Sequence, residues 1–155
     1  MKLNLDKLKA EANQTEEQRV LDEKKKQQIN KMVAKHKTDL KALFENAFAG
    51  ENISAGNGGN EISVSFGEIK ISMFMITLTQ ETPNGILLPS STIDPVFSKK
   101  KSGIEVFSIK LVDTTKYSEL AENSTDYVYK YKINDKIQQC TFAEINSILQ
   151  MVIDA

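Results

Sequence analysis

The chain holds one histidine, His36, and one cysteine, Cys140, the side chains most often used as catalytic base and nucleophile. A cysteine nucleophile needs a nearby base, and a metal site needs several ligands, yet no further His, Cys or carboxylate set is convincingly spaced around His36. The glycine motifs of nucleotide-binding loops and of serine hydrolases are also missing from the sequence. We therefore predict a non-enzymatic protein with no catalytic residue, no metal site, no cofactor and no small-molecule ligand.

Cys140 has two possible environments, because it directly precedes a helix-start sequence. The run from Thr141 to Glu144 is a capping box, in which the threonine and glutamate side chains bond to each other's backbone amides. A thiol close to the start of that helix would have a lowered pKa. We favour the alternative, a small buried residue at a strand end, since the only histidine lies on another element.

Three tyrosines alternate along one predicted strand and could stack nucleic-acid bases. Tyr127, Tyr129 and Tyr131 share one face of this strand, and the lysines of the same segment share the other face. Exposed aromatic residues with nearby lysines bind single strands in several nucleic-acid modules. Here the tyrosines and lysines point in opposite directions, and Ile133 joins the tyrosine face. This arrangement favours a tyrosine face packed beneath a helix, with the hydroxyls at its rim.

Two lysine triplets are the other candidates for contact with nucleic acid. They are Lys24, Lys25 and Lys26 in the N-terminal part, and Lys99, Lys100 and Lys101 in the second half. Contacts of lysine with phosphate would add salt-dependent affinity. Such triplets are also typical of an exposed helix or turn, and Asp22 and Glu23 partly cancel the first one. The net charge of −1 argues against a general affinity for nucleic acid or for anionic membranes.

A long helix must position the N-terminal candidates. The segment from Thr15 to Phe48 contains no Gly or Pro and is rich in good helix formers. Thr15 and Gln18 form a second capping box, which predicts a helix start there after a shorter first helix. The alternative is a continuous helix from Asp6 to Phe48 with Thr15 in its interior. We expect a break or bend near residues 13–15.

The apolar residues of this helix change halfway along its length. From Ile29 onward they recur at steps of three and four, which indicates a short coiled-coil-like seam or a face packed on a sheet. The predicted partner interface consists of Ile29, Met32, Val33, His36, Leu40, Leu43 and Phe44. The preceding part, Glu16 to Gln28, has only Val20 and Leu21 to bury. We expect it to project into solvent unless a partner covers it.

The rest of the chain predicts an antiparallel sheet of about four to five strands, followed by a short C-terminal helix. Alternating apolar residues indicate strands at Glu61–Phe66, Ile69–Gln80, Ile104–Val112, Tyr127–Ile133 and Lys136–Cys140, with a possible short strand at Ile86–Leu88. Residues 82–85 predict a turn, and residues 90–103 an irregular excursion. The fold class is therefore α+β, with the helices on one face of the sheet. Its parts are a helical segment at residues 1–49, a linker at residues 50–60 rich in Gly and Asn, and an α+β body at residues 61–155.

The cellular location and the function are inferred from the composition and the apolar runs of the sequence. A single cysteine allows no intramolecular disulfide, the longest apolar run is too short to cross a bilayer, and no signal peptide is evident, which together indicate a soluble cytoplasmic protein. The first functional hypothesis is a protein-interaction module that acts through the long helix as homodimer, adaptor or small inhibitor, with a mobile element as one source of such a protein. The alternative is a nucleic-acid-binding accessory protein that uses the lysine triplets and the tyrosine strand.

Overall fold

The computed structural model describes residues 2–81 and 87–155, and in this part a long helix, a series of strands and a short helix follow one another. The elements are α1 (Asp6–Ala47), β1 (Ile53–Gly56), β2 (Glu61–Phe66), β3 (Ile69–Glu81), β4 (Leu87–Lys101), β5 (Ile104–Lys110), β6 (Val112–Asp113), β7 (Val128–Ile133), β8 (Lys136–Thr141) and α2 (Ile145–Asp154). The predicted α+β fold, with its long N-terminal helix, antiparallel sheet and short C-terminal helix, is confirmed.

Helix α1 is continuous over 42 residues, which at about 1.5 Å per residue makes a rod of about 63 Å. The predicted break near residues 13–15 is wrong, and the alternative of an unbroken helix is observed. Thr15 caps no helix: its Oγ1 donates a hydrogen bond to the carbonyl of Glu11, 3.0 Å away, as hydroxyl groups inside helices do. Good helix formers flank Thr15 on both sides, so extending the helix is favoured over starting a new one.

Two antiparallel sheets follow the helix. The larger sheet has the order β1-β2-β3-β4-β5, and the smaller sheet has the order β6-β7-β8. Only Leu111 separates β5 from β6, and its amide donates to the carbonyl of Pro95 in β4, 2.9 Å away. The two sheets therefore meet at one nearly continuous strand. The sequence predicts a single sheet and contains no sign of this division.

Strand β4 corrects the prediction that residues 90–103 are irregular, because it runs to Lys101 and pairs with β3. Pro95, the second proline of this strand, is tolerated for a geometric reason. The carbonyl of Pro95 points towards β5, and the amide hydrogen that proline lacks would point the same way. Because the pairing of β4 with β5 ends at Val96, the missing amide removes no hydrogen bond from that ladder. The predicted turn at residues 82–85 lies outside the described residues.

Strand β1 lies within the segment predicted as a linker, residues 50–60. It pairs with β2, with Ile53 opposite Val64, and so adds an edge strand to the larger sheet. The glycines of the segment serve the short 3-10 turn that follows, where Gly58 and Gly59 have φ values of 65° and 86°. Such positive values suit glycine because it lacks a Cβ.

Both helices pack on the same face of the larger sheet, called here the inner face. Each of them contacts β4, and their apolar residues join those of the strands in one core. The core includes Met32, Val33, Leu40 and Phe44 of α1, Ile62, Val64, Ile71, Met73, Met75, Ile93 and Phe97 of the strands, and Ile145, Ile148, Leu149 and Val152 of α2. The opposite, outer face of the sheet carries no helix within the described ranges.

Candidate functional site

The first 23 residues of α1, here named the projecting segment (residues 6–28), make almost no contact with the rest of the chain. Every side chain from residue 6 to residue 25 is exposed, and the first buried residue of the helix is Met32. Leu8 and Leu21 are 62% and 52% exposed, although leucine is usually buried. At about 1.5 Å per residue the segment extends about 35 Å beyond the body.

Charged side chains of the projecting segment bind one another along the helix. Arg19 donates to Glu16 at 2.7 Å and to Glu23 at 3.2 Å, which are the i,i+3 and i,i+4 spacings that stabilise helices. The hydrogen bond and the charge of Arg19 hold the pKa of Glu16 below its usual value. These local bonds stabilise the helix without tertiary contacts, and they hold the side chains of Glu16, Arg19 and Glu23 in place along its surface.

The residues of the predicted partner interface lie elsewhere, in the core of the chain itself. Met32, Val33, His36, Leu40 and Phe44 are buried, and Ile29 and Leu43 are half-buried and pack against the same core. A partner could reach the five buried residues only if the core opened. The accessible part of α1 is therefore the projecting segment and not the seam.

His36 is the centre of a buried polar cluster. Its Nδ1 lies 2.7 Å from the hydroxyl of Tyr117, its Nε2 bonds to the hydroxyl of Tyr129, and its ring stacks on Tyr127 at 3.7 Å between centroids. The imidazole is fully buried. Histidine thus joins α1 to β7 and to the loop after β6 through polar bonds inside an apolar core.

The directions of these hydrogen bonds follow from the number of protons available. Tyr117 donates its single hydroxyl proton to a carboxylate oxygen of Asp113, so it must accept from Nδ1–H of His36. The other nitrogen, Nε2, then accepts from the hydroxyl of Tyr129. This relay from Tyr129 through His36 and Tyr117 to Asp113 gives every member a hydrogen-bond partner.

Asp113 ends the relay and also holds backbone groups. It accepts from the amides of Ile93 and Thr115, each 3.0 Å away. Burial tends to raise the pKa of its carboxyl, but the nearby His36, whose Nδ1 lies 3.5 Å from the carboxylate, and the hydrogen bonds from Thr115, Tyr117 and Ile93 outweigh burial and lower it. Burial and the nearby Asp113 charge raise the pKa of Tyr117. The carboxylate is thus ionised and the phenol neutral, and because every relay member is buried, the relay is accessible to no substrate.

The tyrosine face of β7 packs beneath α1. Tyr127 and Tyr129 are buried, and Tyr131 is half-buried. The hydroxyl of Tyr127 donates to Asp39 at 2.7 Å, and Lys35 donates to the same carboxylate oxygen at 2.7 Å. The rings of the two buried tyrosines are therefore not exposed to nucleic-acid bases.

The two lysine triplets lie on different elements. Lys24, Lys25 and Lys26 belong to the projecting segment, while Lys99, Lys100 and Lys101 end strand β4. Lys99 is half-buried and donates to the carbonyls of Ile153 and Ala155, each 2.7 Å away, so it binds the end of α2. Lys100 and Lys101 are exposed at the turn that leads to β5.

Cys140 is buried at the end of β8. Burial, with a smaller contribution from Glu144, raises the pKa of its thiol to about 11. The alternative of a lowered thiol pKa is therefore wrong, since the loss of hydration outweighs the adjacent helix start. The capping box itself is confirmed, with Glu144 accepting from the amide of Thr141 at 3.1 Å.

The remaining surface features of the described residues carry little chemistry. An open groove of about 380 Å³ lies between α1 and the start of α2 and is lined by groups such as Asp39, Leu43, Phe142 and Asn146, without His or Cys. No group of three or more His, Cys, Asp or Glu in the described ranges is arranged to hold a metal ion. Among the helices described, none is both long and apolar enough to span a membrane.

Comparisons with known proteins find no relative of this chain: no protein-family model, no curated protein and no solved structure matches it. The function is therefore inferred from the chain's own surface. Two residues of the buried cluster, Asp113 and Tyr117, were not singled out by sequence reasoning. They are distant from His36 in the chain, and neither lies in a motif that would indicate the contact.

Proposed function

We propose that the protein is a non-enzymatic interaction module whose projecting segment binds a partner protein. The observation that carries this proposal is a helix of about 35 Å that leaves its leucines exposed while the rest of α1 is anchored in the body. If α1 served only the core, the part of the helix from Ile29 onward would be sufficient. The additional residues are explained by a contact outside the body, as in an adaptor or a small inhibitor.

The exposed apolar side chains indicate how such a contact would form. Leu8 and Ala12 lie four residues apart on one face of the helix, and Leu5, at the N-cap position just before the projecting segment, lies three residues before Leu8. Burying a leucine completely contributes about 1.5–3 kcal/mol, which makes two or three such residues sufficient anchors for a groove on a partner. Val20 and Leu21 form a second exposed pair nearer the body.

The buried cluster supports a non-enzymatic role. Both ring nitrogens of the only histidine of the chain are hydrogen-bonded inside the core, so the imidazole is not free to act as a base on a bound substrate. The single thiol is buried with a raised pKa, which keeps it protonated at neutral pH. A protein with one buried cysteine is compatible with a reducing compartment, and we propose a cytoplasmic location.

Site-specific photo-crosslinking in cells that naturally contain the protein tests the proposal. A photoreactive residue at Leu8 or Leu21 should capture one defined protein, whereas the same residue at Ile137, which is 71% exposed on β8, should not. The captured protein is then purified and its affinity is measured by calorimetry. We expect Leu8→Lys and Leu21→Lys to weaken binding by about tenfold or more, because each introduces a charge into an apolar contact.

The same design contains the nucleic-acid alternative as an outcome. Gel shifts with single-stranded and duplex DNA are run at low and moderate salt, with the wild-type chain and with Lys24, Lys25 and Lys26 replaced by glutamate. A shift that the triple replacement abolishes, together with no protein captured at Leu8 or Leu21, would overturn the protein-partner proposal. A captured protein whose binding is unaffected by both leucine replacements would also contradict it.

A further inference from the structure

Two lysines of α1 lie beside the short 3-10 turn, residues 57–59, that connects β1 to β2. Lys37 and Lys41 are about one helical turn apart, and both are half-buried. Nζ of Lys37 donates a hydrogen bond to Oδ1 of Asn60 at 2.6 Å. A Cβ at Gly59 would lie 3.3 Å from Nζ of Lys41, so the missing side chain leaves room for that ammonium group. The fold thus brings two positive charges to a glycine turn.

No carboxylate of the described ranges balances these two charges. Burial and the charge of Lys41 lower the pKa of Lys37, so the two ammonium groups are close enough to repel each other. The carboxylate of Glu61, just after the turn, lies on the outer face of the sheet, and it already accepts from Asn57 and lies 3.6 Å from Lys70. The lysines that form ion pairs with carboxylates in this part of the chain are others: Lys35, Lys70, Lys110 and Lys132.

Hydrogen bonds to neighbouring residues hold the turn in one conformation. The amide of Asn60 donates to the carbonyl of Asn57 at 3.2 Å, and the carbonyl of Asn60 accepts from the amide of Met75 in β3 at 2.8 Å. Gly58 and Gly59 carry no side chain, so a ligand can approach their backbone closely. Because the turn is already fixed, little conformational entropy would be lost when a ligand binds there.

We propose that Lys37 and Lys41, together with the backbone of Gly58 and Gly59, bind the phosphate group of a small phosphorylated molecule. Two ammonium groups match the charge of a phosphomonoester, which is about −1.5 to −2 near neutral pH. Each lysine binds phosphate as a point charge, whereas a singly charged carboxylate is better matched by the planar fork of arginine. Such a ligand differs from the sequence-based expectation of no small-molecule ligand. The site lies in the anchored part of α1, so its test is independent of the projecting segment.

Titration of the full chain with inorganic phosphate, followed by nuclear magnetic resonance, tests the inference. The amide signals of Gly58, Gly59 and Asn60 should shift and reach saturation, and phenyl phosphate should shift the same signals, because the phosphate group carries the recognition. Chloride and acetate at matched ionic strength should leave these signals in place. Shifts that do not saturate, or that chloride or acetate reproduces, would indicate an adventitious ion only and would overturn the inference.

Replacement of single lysines locates the site on the helix. Lys37→Gln and Lys41→Gln should each weaken phosphate binding by about tenfold, because each removes a charge-assisted contact. Lys31→Gln, at an exposed lysine on another side of the same helix, is the matched control and should bind phosphate as the wild type does. An equal loss for Lys31→Gln would mean a general attraction of anions to the basic helix, which contradicts a defined site.

The two glycines provide a second matched pair. Both have positive φ values, so alanine strains the turn at either position. Only at Gly59 would the new Cβ meet Lys41, at 3.3 Å, whereas a Cβ at Gly58 would have no neighbour within 4 Å. Gly59→Ala should therefore weaken phosphate binding more than Gly58→Ala, with thermal unfolding used to confirm that both variants fold. Equal affinities of the two variants would contradict the assignment of Gly59 to the site.

Discussion

The two parts of α1 differ in their surroundings although both are built from good helix formers. From residue 32 to residue 44 one side of the helix is buried in the core, with Leu40 and Phe44 completely inaccessible. From residue 6 to residue 25 every side chain is exposed. The comparison separates two properties that usually occur together. Helix propensity is sufficient to continue the rod, whereas burial on the sheets anchors only its second part.

Truncating an apolar side chain is expected to give the largest difference in unfolding free energy between the two parts of α1. Phe44→Ala should lower the free energy of unfolding by about 3–5 kcal/mol, because it leaves a cavity in the core. Leu21→Ala in the projecting segment should change it by less than about 0.5 kcal/mol. Urea unfolding followed by circular dichroism measures both. Equal losses would mean that the projecting segment packs on the body in solution.

The buried relay is expected to have the next largest effect. Tyr129→Phe removes the donor to Nε2 of His36 and should cost about 1–3 kcal/mol of unfolding free energy, since a buried acceptor is left unpaired. Tyr131→Phe is the matched control on the same strand, and because Tyr131 is half-buried we expect a smaller loss. If Tyr129→Phe unfolds at the wild-type urea concentration, the hydrogen bond contributes nothing to stability.

The pH dependence of stability sharpens the contrast between buried and exposed carboxylates. The hydrogen bonds to Asp113 lower its pKa in the folded state below its usual value of 3.8, so the unfolded chain takes up this proton first as the pH falls. Its stabilising contribution is thus fully present well above pH 4 and is lost as the pH falls through the folded pKa. Unfolding measured between neutral and acidic pH should show a shallower acid loss for Asp113→Asn than for wild type. Asp135→Asn, at a fully exposed side chain, should keep the wild-type slope.

The smallest effect on global stability is expected inside the projecting segment. Ala12→Pro should break the helix locally, because proline costs about 3 kcal/mol in a helix interior. The helical circular dichroism signal should fall, while the free energy of unfolding of the body, measured with urea, stays within about 0.5 kcal/mol of wild type. A large shift of the midpoint would show that the two parts unfold as one unit.

Local patterns in the sequence predicted much of this architecture. The alternation of Ile62, Val64 and Phe66 indicated a strand, and the capping box at Thr141 indicated a helix start. The errors occurred where local signals competed with tertiary context. Thr15 resembles a helix cap but is tolerated inside a helix. The sequence Asp94-Pro95 resembles a loop but lies within β4, just beyond the point where its pairing with β5 ends.

The candidate sites were less predictable because their contacts join distant parts of the chain. The seam was recognised as either core or interface, and only the folded chain shows that its own sheets occupy it. The partners of His36 come from positions more than 75 residues away, and no spacing rule connects them.

His36 has a consequence for the alignment of α1 with the sheets. Apolar residues recur along the seam at steps of three and four, so a slide of the helix by one turn, about 5.4 Å, would place one apolar residue where another had been. The imidazole permits no such exchange. After a slide, Met32 or Leu40 would meet the hydroxyls of the relay and leave them without partners. A single polar residue in an apolar seam therefore sets the longitudinal position of the whole rod, and with it the length of helix that extends beyond the body.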